Sequence, residues 1–419
     1  MNLTYDKIIF HLKFSMKPYK LSPTAGTISD YKIVGREKEI ANLLLLLDSQ
    51  SVVIEEMRRM GKTLLVRKLA YKCHDTNNKV LYFFLQSTKD IFELTDMLFA
   101  SLRKEQSFGK LKMAFNGIRR LYNVLKPEEV DLEVVSFKLP EWKIKWKDAL
   151  NILLEDVANR NNEKDEILTI ILDEFPVMLW DWIQDGKANE AIEFLDVLRK
   201  QRQTLEAKGK VRFIICGSIG LQVVLKHLKQ KHNYMGEPFN ETETFSLEAM
   251  SDEDTLFLCE CLYLSDYQID TIENKAKYFN KIIQFTNGLP FYINKVFTIL
   301  QQNYSAVLSD KNLESSFTDL LTSPNHLKTF NHLYDRIKIY YPEKESVIML
   351  QILNFLANQK EIVQENKIVQ SIDSEAIMIN EALLILVSEH YLERSFDEHG
   401  RAYIFKYEIF KKWWKLNKA

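Results

Sequence analysis

The stretch SVVIEEMRRMGKTLLVRKLAYKC, residues 51–73, decides how the rest of the chain is read. Its first five residues, SVVIE, form a short β-branched run, and the residues after Gly61 set apolar side chains at helical spacing. Strand, turn and helix therefore follow one another. At the turn, Gly61, Lys62 and Thr63 are the second half of the pattern GxxxxGK[ST]. In that pattern the backbone N–H groups of the loop and of the helix N-terminus cradle phosphate. Lys62 reaches the β- and γ-phosphates, and the Thr63 hydroxyl ligates Mg²⁺. Arg59, Met60, Gly61, Lys62, Thr63 and Leu64 are the expected nucleotide contacts, with ATP and Mg²⁺ as ligands. The first glycine of the pattern is replaced by Glu56. Its carboxylate either faces the phosphates and repels them, or points outward and pairs with Arg58 or Arg59. The outward arrangement is expected, because a chain that keeps Lys62 and Thr63 would hardly keep a residue that defeats them.

Working outward, KVLYFFLQS at 79–87 is a second β-rich run, followed by the helical pattern DIFELTDMLFASLRK. ILTIIL at 167–172 and VRFIICGS at 211–218 are continuous apolar runs, the pattern of strands buried on both faces of a parallel sheet. Four such strands predict a doubly wound α/β core. Residues 105–165 interrupt it with a charged helical stretch, the alternating segment DLEVVSFKL and the amphipathic WKDALNILLEDVAN, and read as an insertion.

The strand ILTIIL ends in Asp173 and Glu174, at the sheet edge where α/β ligands bind. Asp173 is expected to hold Mg²⁺ through water, and Glu174 to orient and polarise the attacking water. An ordinary acidic helix start would look the same in isolation. Its position about 110 residues after the strand–GKT–helix favours the chemical reading. Ser218 ends the next buried strand, where it would hydrogen-bond the γ-phosphate or the attacking water; as a turn residue it needs no such role.

From about 245 to 335 the pattern is helical, through SLEAMSDEDTLFLCECLYL and FTNGLPFYINKVFTILQQN. The last stretch runs helix ESVIMLQILNFLAN, helix SEAIMINEALLILVSEH, then YLERSFDEHGRAYIFKY, two alternating runs around a glycine turn. The expected architecture is an α/β P-loop parallel-sheet core with a helical lid and a C-terminal winged-helix domain. The expected divisions are an N-terminal extension at 1–30, the core at 31–244, the lid at 245–335 and the winged helix at 336–419.

VGREKEI at 34–40, RRMGKT at 58–63, LDEFPVML at 172–179, FIICGSIGL at 213–221 and NGLP at 287–290 occur in one order. Together they resemble the prokaryotic, archaeal-type P-loop ATPases of the AAA+/STAND group, whose core is similar to that of the origin-recognition ATPases. The resemblance covers roughly residues 30–419. It implies that Gly35 and Arg36 lie by the adenine and that Pro290 lets a lid helix sense the nucleotide. It also implies that Arg199, with Arg202 in LRKQRQ, reaches a neighbour's γ-phosphate; a solvated helix face is the plain alternative. Trp413 and Trp414, in the closing aromatic-rich segment, are expected as core anchors. The implied function is an ATP-hydrolysing molecular switch acting on a protein or nucleic-acid partner or by self-association, with regulation or defence as roles by analogy. Two alternatives stay open: a DNA-binding ATPase of the origin-recognition kind, and a nucleotide-binding module that does not hydrolyse.

Charge weighs against the DNA reading. Lys and Arg number 56 against 58 Asp and Glu, whereas a dedicated nucleic-acid binder is usually basic. The expected recognition helix, SEAIMINEALLILVSE, carries Glu375, Glu381 and Glu389 and no cation, which phosphates would repel. The expected winged helix and the basic segment KHLKQKHN at 226–233 are the features in its favour. Four cysteines without a CxxC pair indicate neither zinc nor a disulfide framework. The N-terminus lacks the apolar h-region of a signal peptide, and no apolar run approaches membrane-spanning length, so a cytoplasmic protein is expected.

Overall fold

The structure, a computed structural model, describes residues 17–23, 28–73, 79–104, 146–147, 150–151, 167–207, 211–398 and 400–419. The segment DLEVVSFKL and nearly all of the expected insertion at 105–165 lie outside them. The chain forms two compact units. One comprises Glu39–Glu55 and Leu65–Ser246; the other comprises Met1–Lys38, Glu56–Leu64 and Leu247–Ala419.

The first unit is an α/β layer structure around a five-stranded sheet. Its strands are β1 (Val52–Glu55), β2 (Lys79–Phe84), β3 (Leu168–Asp173), β4 (Val211–Cys216) and β5 (Glu243–Ser246), in the order β2-β3-β4-β1-β5. All four pairings are parallel. Every residue of β3 and β4 is buried, as two-faced strands of Ile, Leu, Val and Phe require. The register sets Asp173 and Ile54 both opposite Cys216, so the carboxyl ends of β1, β3 and β4 share one edge, the ligand-binding edge of open parallel sheets. Helices Phe175–Gln184, Ala188–Ala207 and Leu221–His232 supply apolar faces to this unit. The sheet has one strand more than the sequence pattern reveals. β5 reads ETFS, is largely exposed and pairs only with β1, so it carries no hydrophobic run.

The second unit is mostly helical. Asp252–Tyr263, Lys275–Thr286, Pro290–Asn303, Asp310–Thr322 and Lys328–Tyr340 come first, with a two-residue parallel pairing of β6 (Gln268–Ile269) with β7 (Val307–Leu308). There follow helices Glu343–Ala357, Glu365–Ser371 and Ala376–Ser388, and an antiparallel sheet of β8 (Val363–Gln364), β9 (Leu392–Asp397) and β10 (Gly400–Phe405) in the order β8-β10-β9. The chain closes on helix Glu408–Asn417. Its amphipathic face buries Trp413 and Trp414 fully, as expected of core anchors. Trp413 stacks on Phe330 at 5.5 Å between centroids, and Phe330 stacks on Tyr292 at 4.8 Å. This column of rings joins the closing helix to Pro290–Asn303, contributing about 0.5–1.5 kcal/mol per pair beyond area burial. Among the described residues no helix is long and apolar enough to cross a membrane.

Candidate functional site

β1 runs straight into the loop Glu56–Gly61, and helix Lys62–Cys73 begins at its end. The loop turns sharply: Arg59 and Gly61 have φ of 75° and 95°. Only glycine adopts the second value readily, which accounts for Gly61 at the mouth of the helix. Lys62 is buried and turned back along the loop. Its Nζ donates to the carbonyl oxygens of Glu56 and of Met57, the latter at 2.7 Å. Thr63 and Leu64 are half-buried in the first turn of the helix.

The residues singled out from NGLP and VGREKEI come to the same place. A Cβ on Gly61 would meet Pro290 Cγ at 3.9 Å, so Pro290, the first residue of its helix, covers the loop. Asn287, in left-handed conformation, accepts a hydrogen bond from Ile409 N at 2.9 Å and so holds the start of the closing helix. Gly35 has φ of 69°, and a Cβ there would lie 2.7 Å from the Asp254 carboxyl. Arg36, 3% exposed, donates through Nη1 to Glu248 O at 2.7 Å and through Nη2 to Met60 O at 3.2 Å. Arg36 is therefore a buried brace of the loop Glu56–Gly61. Beside it opens a cleft of about 550 Å³, its mouth to solvent included, with Ile33, Val34, Met250 and Leu258 as apolar walls and Arg36, Gly61, Leu64 and Pro290 at the loop side. Its lining is mainly apolar with few polar groups, the kind of surface small-molecule sites present. Asp254 and Glu248 were not readable from the sequence, since each acts through a contact with Arg36 more than two hundred residues away.

Glu56 departs from the expectation. It does not point outward: it is 6% exposed, and its carboxylate meets Lys406, from the residue after β10, where Arg58 or Arg59 was expected. Oε2 accepts from Lys406 Nζ at 2.9 Å, and Oε1 from the Met57 N–H at 2.9 Å. Burial pushes its carboxyl up from the ordinary range, while Lys406, Met57 and Lys62 pull the other way. His390 Nδ1 stands 3.5 Å from Oε2. Burial, then Lys406, Lys62 and Arg336, draw that imidazole down to about 3, so it is neutral and the contact is not an ion pair. Arg59 is turned elsewhere: its guanidinium lies over Phe291 at 4.4 Å and donates to Lys328 O at 3.0 Å.

In the first unit the ends of β3 and β4 form a second cluster. Asp173, 1% exposed, accepts from Tyr82 OH at 2.9 Å through Oδ2, and from Glu174 N and Cys216 Sγ, each at 3.1 Å, through Oδ1. Burial first, and then Asp173, raise the Tyr82 phenol, which stays a donor. Glu174 has φ of 59° and ψ of 27°, a left-handed conformation that costs a non-glycine residue roughly 1–2 kcal/mol. That turn aims its carboxylate away from its own helix start and onto Ser218: Oε2 accepts from Ser218 N at 2.8 Å and from Ser218 Oγ at 2.9 Å. Ser218 thus holds Glu174. Gly217 makes this approach possible, because a Cβ there would meet Pro176 Cδ at 2.6 Å. Tyr82 and Cys216 escaped the sequence reading because both look like ordinary strand residues.

Lys62 and Thr63 belong to one unit and Asp173, Glu174 and Ser218 to the other. The Thr63 hydroxyl and the Asp173 carboxylate are each, within their own unit, a hard oxygen donor of the kind Mg²⁺ takes. Among the described residues no group of three or more His, Cys, Asp or Glu could hold a metal by itself. Arg202 is fully buried and bound to Glu206 at 2.9 Å and Glu241 at 3.4 Å, which makes it structural; Arg199 on the same helix is half-buried. On helix Ala376–Ser388, Ile377 and Leu384 are exposed, as are Glu375 and Glu381, while Glu389 after it is buried on Arg336 at 2.5 Å.

No family model and no curated protein matches the chain. Among solved structures it is similar to Cdc6p from Pyrobaculum aerophilum, at 13% identity over 94% of this chain and 96% of that one, with a TM-score of 0.41. It is also similar to the RuvB Holliday junction branch migration motor of Thermotoga maritima, at 12% identity over 90% and 95%, with a TM-score of 0.37.

Proposed function

We propose that the chain is an ATP-binding and ATP-hydrolysing switch of the AAA+/STAND type. One observation carries the reading. The phosphate loop Glu56–Leu64 is packed into the unit that holds Pro290, Arg36 and the C-terminal sheet, with an apolar cleft at its side. Adenine would take the cleft between Val34, Met250 and Leu258, and the phosphates would lie on the backbone N–H groups at the start of helix Lys62–Cys73. Mg²⁺, held through Thr63 and Asp173, would neutralise charge on the phosphate oxygens. Glu174, positioned by Ser218, takes the proton of the water that attacks the γ-phosphate, and ADP and phosphate leave. Arg199 is the candidate for reaching the phosphate of a second copy.

The output would be a change in the arrangement of lid and C-terminal module, because Pro290 touches the loop and Asn287 ties the closing helix to the same turn. Three helices, with β8 between the first and second, followed by the β9–β10 hairpin that β8 joins, fit a winged helix. Exposed Ile377 and Leu384 among acidic neighbours suit a protein partner or a second copy better than DNA phosphates. Salt-dependent binding to duplex DNA would overturn that preference.

The test of the nucleotide reading is a melting curve. ATP with Mg²⁺ at a hundred times its Kd stabilises the folded state by about 2.7 kcal/mol, a rise of roughly 5–10 °C for a unit of about 200 residues. Lys62→Ala should remove the rise. A wild-type protein indifferent to millimolar ATP would refute the reading, and a turnover assay on a protein that does bind separates a hydrolysing switch from a binding module.

A further inference from the structure

We propose that Lys406 is a phosphate-binding residue supplied by the C-terminal module, and that Glu56 holds it beside the loop until nucleotide phosphates take it over. The proposal rests on the nucleotide reading above. It starts from the residue that breaks the loop's pattern. A carboxylate where the pattern has glycine would repel phosphate, yet Glu56 is buried with its side chain wholly covered, and a buried charge is strongly disfavoured unless it is paired. The chain supplies the pair from 350 positions away.

Two ammonium groups therefore converge on one residue. Lys62 binds its main-chain carbonyl and Lys406 its carboxylate, at 2.9 Å. A polyphosphate brought to Lys62 thus arrives beside Lys406 as well. Its several charges attract an ammonium more strongly than the single charge of Glu56 does at similar distance. The other partners of Lys406 are weaker: the neutral His390 imidazole accepts through Nδ1 at a long 3.4 Å, and Glu248 Oε2 lies 3.4 Å away on a side chain that is 66% exposed and therefore well screened. When Lys406 leaves, Glu56 keeps the Met57 N–H and can take up a proton, a step eased by the burial that already raises its carboxyl.

The position of Lys406 gives the exchange a consequence. It lies between β10 and the closing helix Glu408–Asn417, and Ile409 in the first turn of that helix is bound to Asn287 of NGLP. Movement of the ammonium from carboxylate to phosphate pulls on the junction of sheet, closing helix and lid.

The experiment is calorimetric titration of ATP with Mg²⁺ into the full chain and five variants, one of them the control Lys62→Ala, each first checked by its melting curve without nucleotide. Glu56→Gln should bind about tenfold more tightly than wild type, and Lys406→Met about tenfold more weakly, with Lys406→Arg near wild type. The double variant Glu56→Gln/Lys406→Met should bind no more tightly than Lys406→Met, since the gain from freeing Lys406 needs Lys406. A Kd for Lys406→Met within twofold of wild type, in a protein whose binding Lys62→Ala abolishes, overturns the proposal and leaves the nucleotide reading standing. Should Lys406→Met fail to fold, the glutamine variant decides: an unchanged or weaker Kd for Glu56→Gln overturns it. A wild-type protein that binds no ATP overturns both.

Discussion

Replacing Gly35 by alanine isolates the brace that ties the Gly35–Arg36 turn to the loop Glu56–Leu64. The residue sits at φ of 69°, and the new Cβ would lie 2.7 Å from both Cγ and Oδ2 of Asp254 and 2.9 Å from its Cβ. Swinging the Asp254 carboxyl aside does not clear the site, because Asp254 Cβ is itself too close. Either Asp254 moves with the start of helix Asp252–Tyr263, or the Gly35–Arg36 turn opens. Left-handed strain for alanine costs about 1 kcal/mol or slightly more, and overpacking a closed site adds about 1–3 kcal/mol. A loss of roughly 2–4 kcal/mol lowers the melting temperature of a unit of about 200 residues by roughly 5–15 °C. Gly400→Ala is the control. Gly400 also has positive φ, 109°, and belongs to the same unit, but nothing lies within 4 Å of its Cβ position, so strain acts there alone. Differential scanning calorimetry compares the two. The displaced turn also carries Arg36, which donates to Met60 O in the loop, so Gly35→Ala should weaken ATP binding as well while Gly400→Ala leaves it unchanged. If Gly35→Ala melts no lower than Gly400→Ala, the contact with Asp254 does not constrain the fold and the brace is wrong.

Three further outcomes follow from the site. Glu174→Gln should retain ATP binding and lose at least about a hundredfold in turnover, the range a general base supplies; turnover kept within a few-fold would place the base elsewhere. Ser218→Ala removes the Oγ donor and leaves the backbone N–H on Glu174, so turnover should fall about ten- to a hundredfold, as one hydrogen bond to a carboxylate is worth about 1.5–3 kcal/mol; an altered ATP Kd with unchanged turnover would instead mark Ser218 as a ligand contact. His390 is held neutral in the folded state down to about pH 3, whereas it titrates near 6.5 when unfolded. The unfolded chain therefore binds more protons in that window, and stability falls by up to about 1.4 kcal/mol per pH unit as pH drops below 6.5. In denaturant titrations from pH 7 to 4, His390→Asn should lose that part of the slope; identical slopes would show that the imidazole is protonated in the fold.

What the sequence discloses and what it hides divide along the range of the interactions. The strand–loop–helix at 51–73, the buried runs that became β3 and β4, the pair Asp173 and Glu174, and the hairpin of β9 and β10 were all readable, because each is dictated by local periodicity or by a short motif. β5 was not: ETFS needs no apolar pattern when one edge pairs with β1 and the rest faces water. The role of Ser218 was half legible, since a Ser at a strand end after the Asp-Glu pair pointed to the site, but only the left-handed turn at Glu174 shows that its hydroxyl is directed at a carboxylate.

Glu56 is the case where local reasoning gave the wrong geometry for a sound reason. The argument that a chain with Lys62 and Thr63 would not keep a residue that defeats them required a compensating cation, and Arg58 and Arg59 were the cations in view. Arg59 is committed to Phe291 and Lys328 O. The cation that does compensate lies at the end of a hairpin that no spacing in the loop could point to. A motif broken at one position is therefore better read against the whole unit that packs on it: the carboxylate that disfavours phosphate in the isolated loop becomes, with Lys406 on it, a means of making the C-terminal module answer to the loop's occupancy.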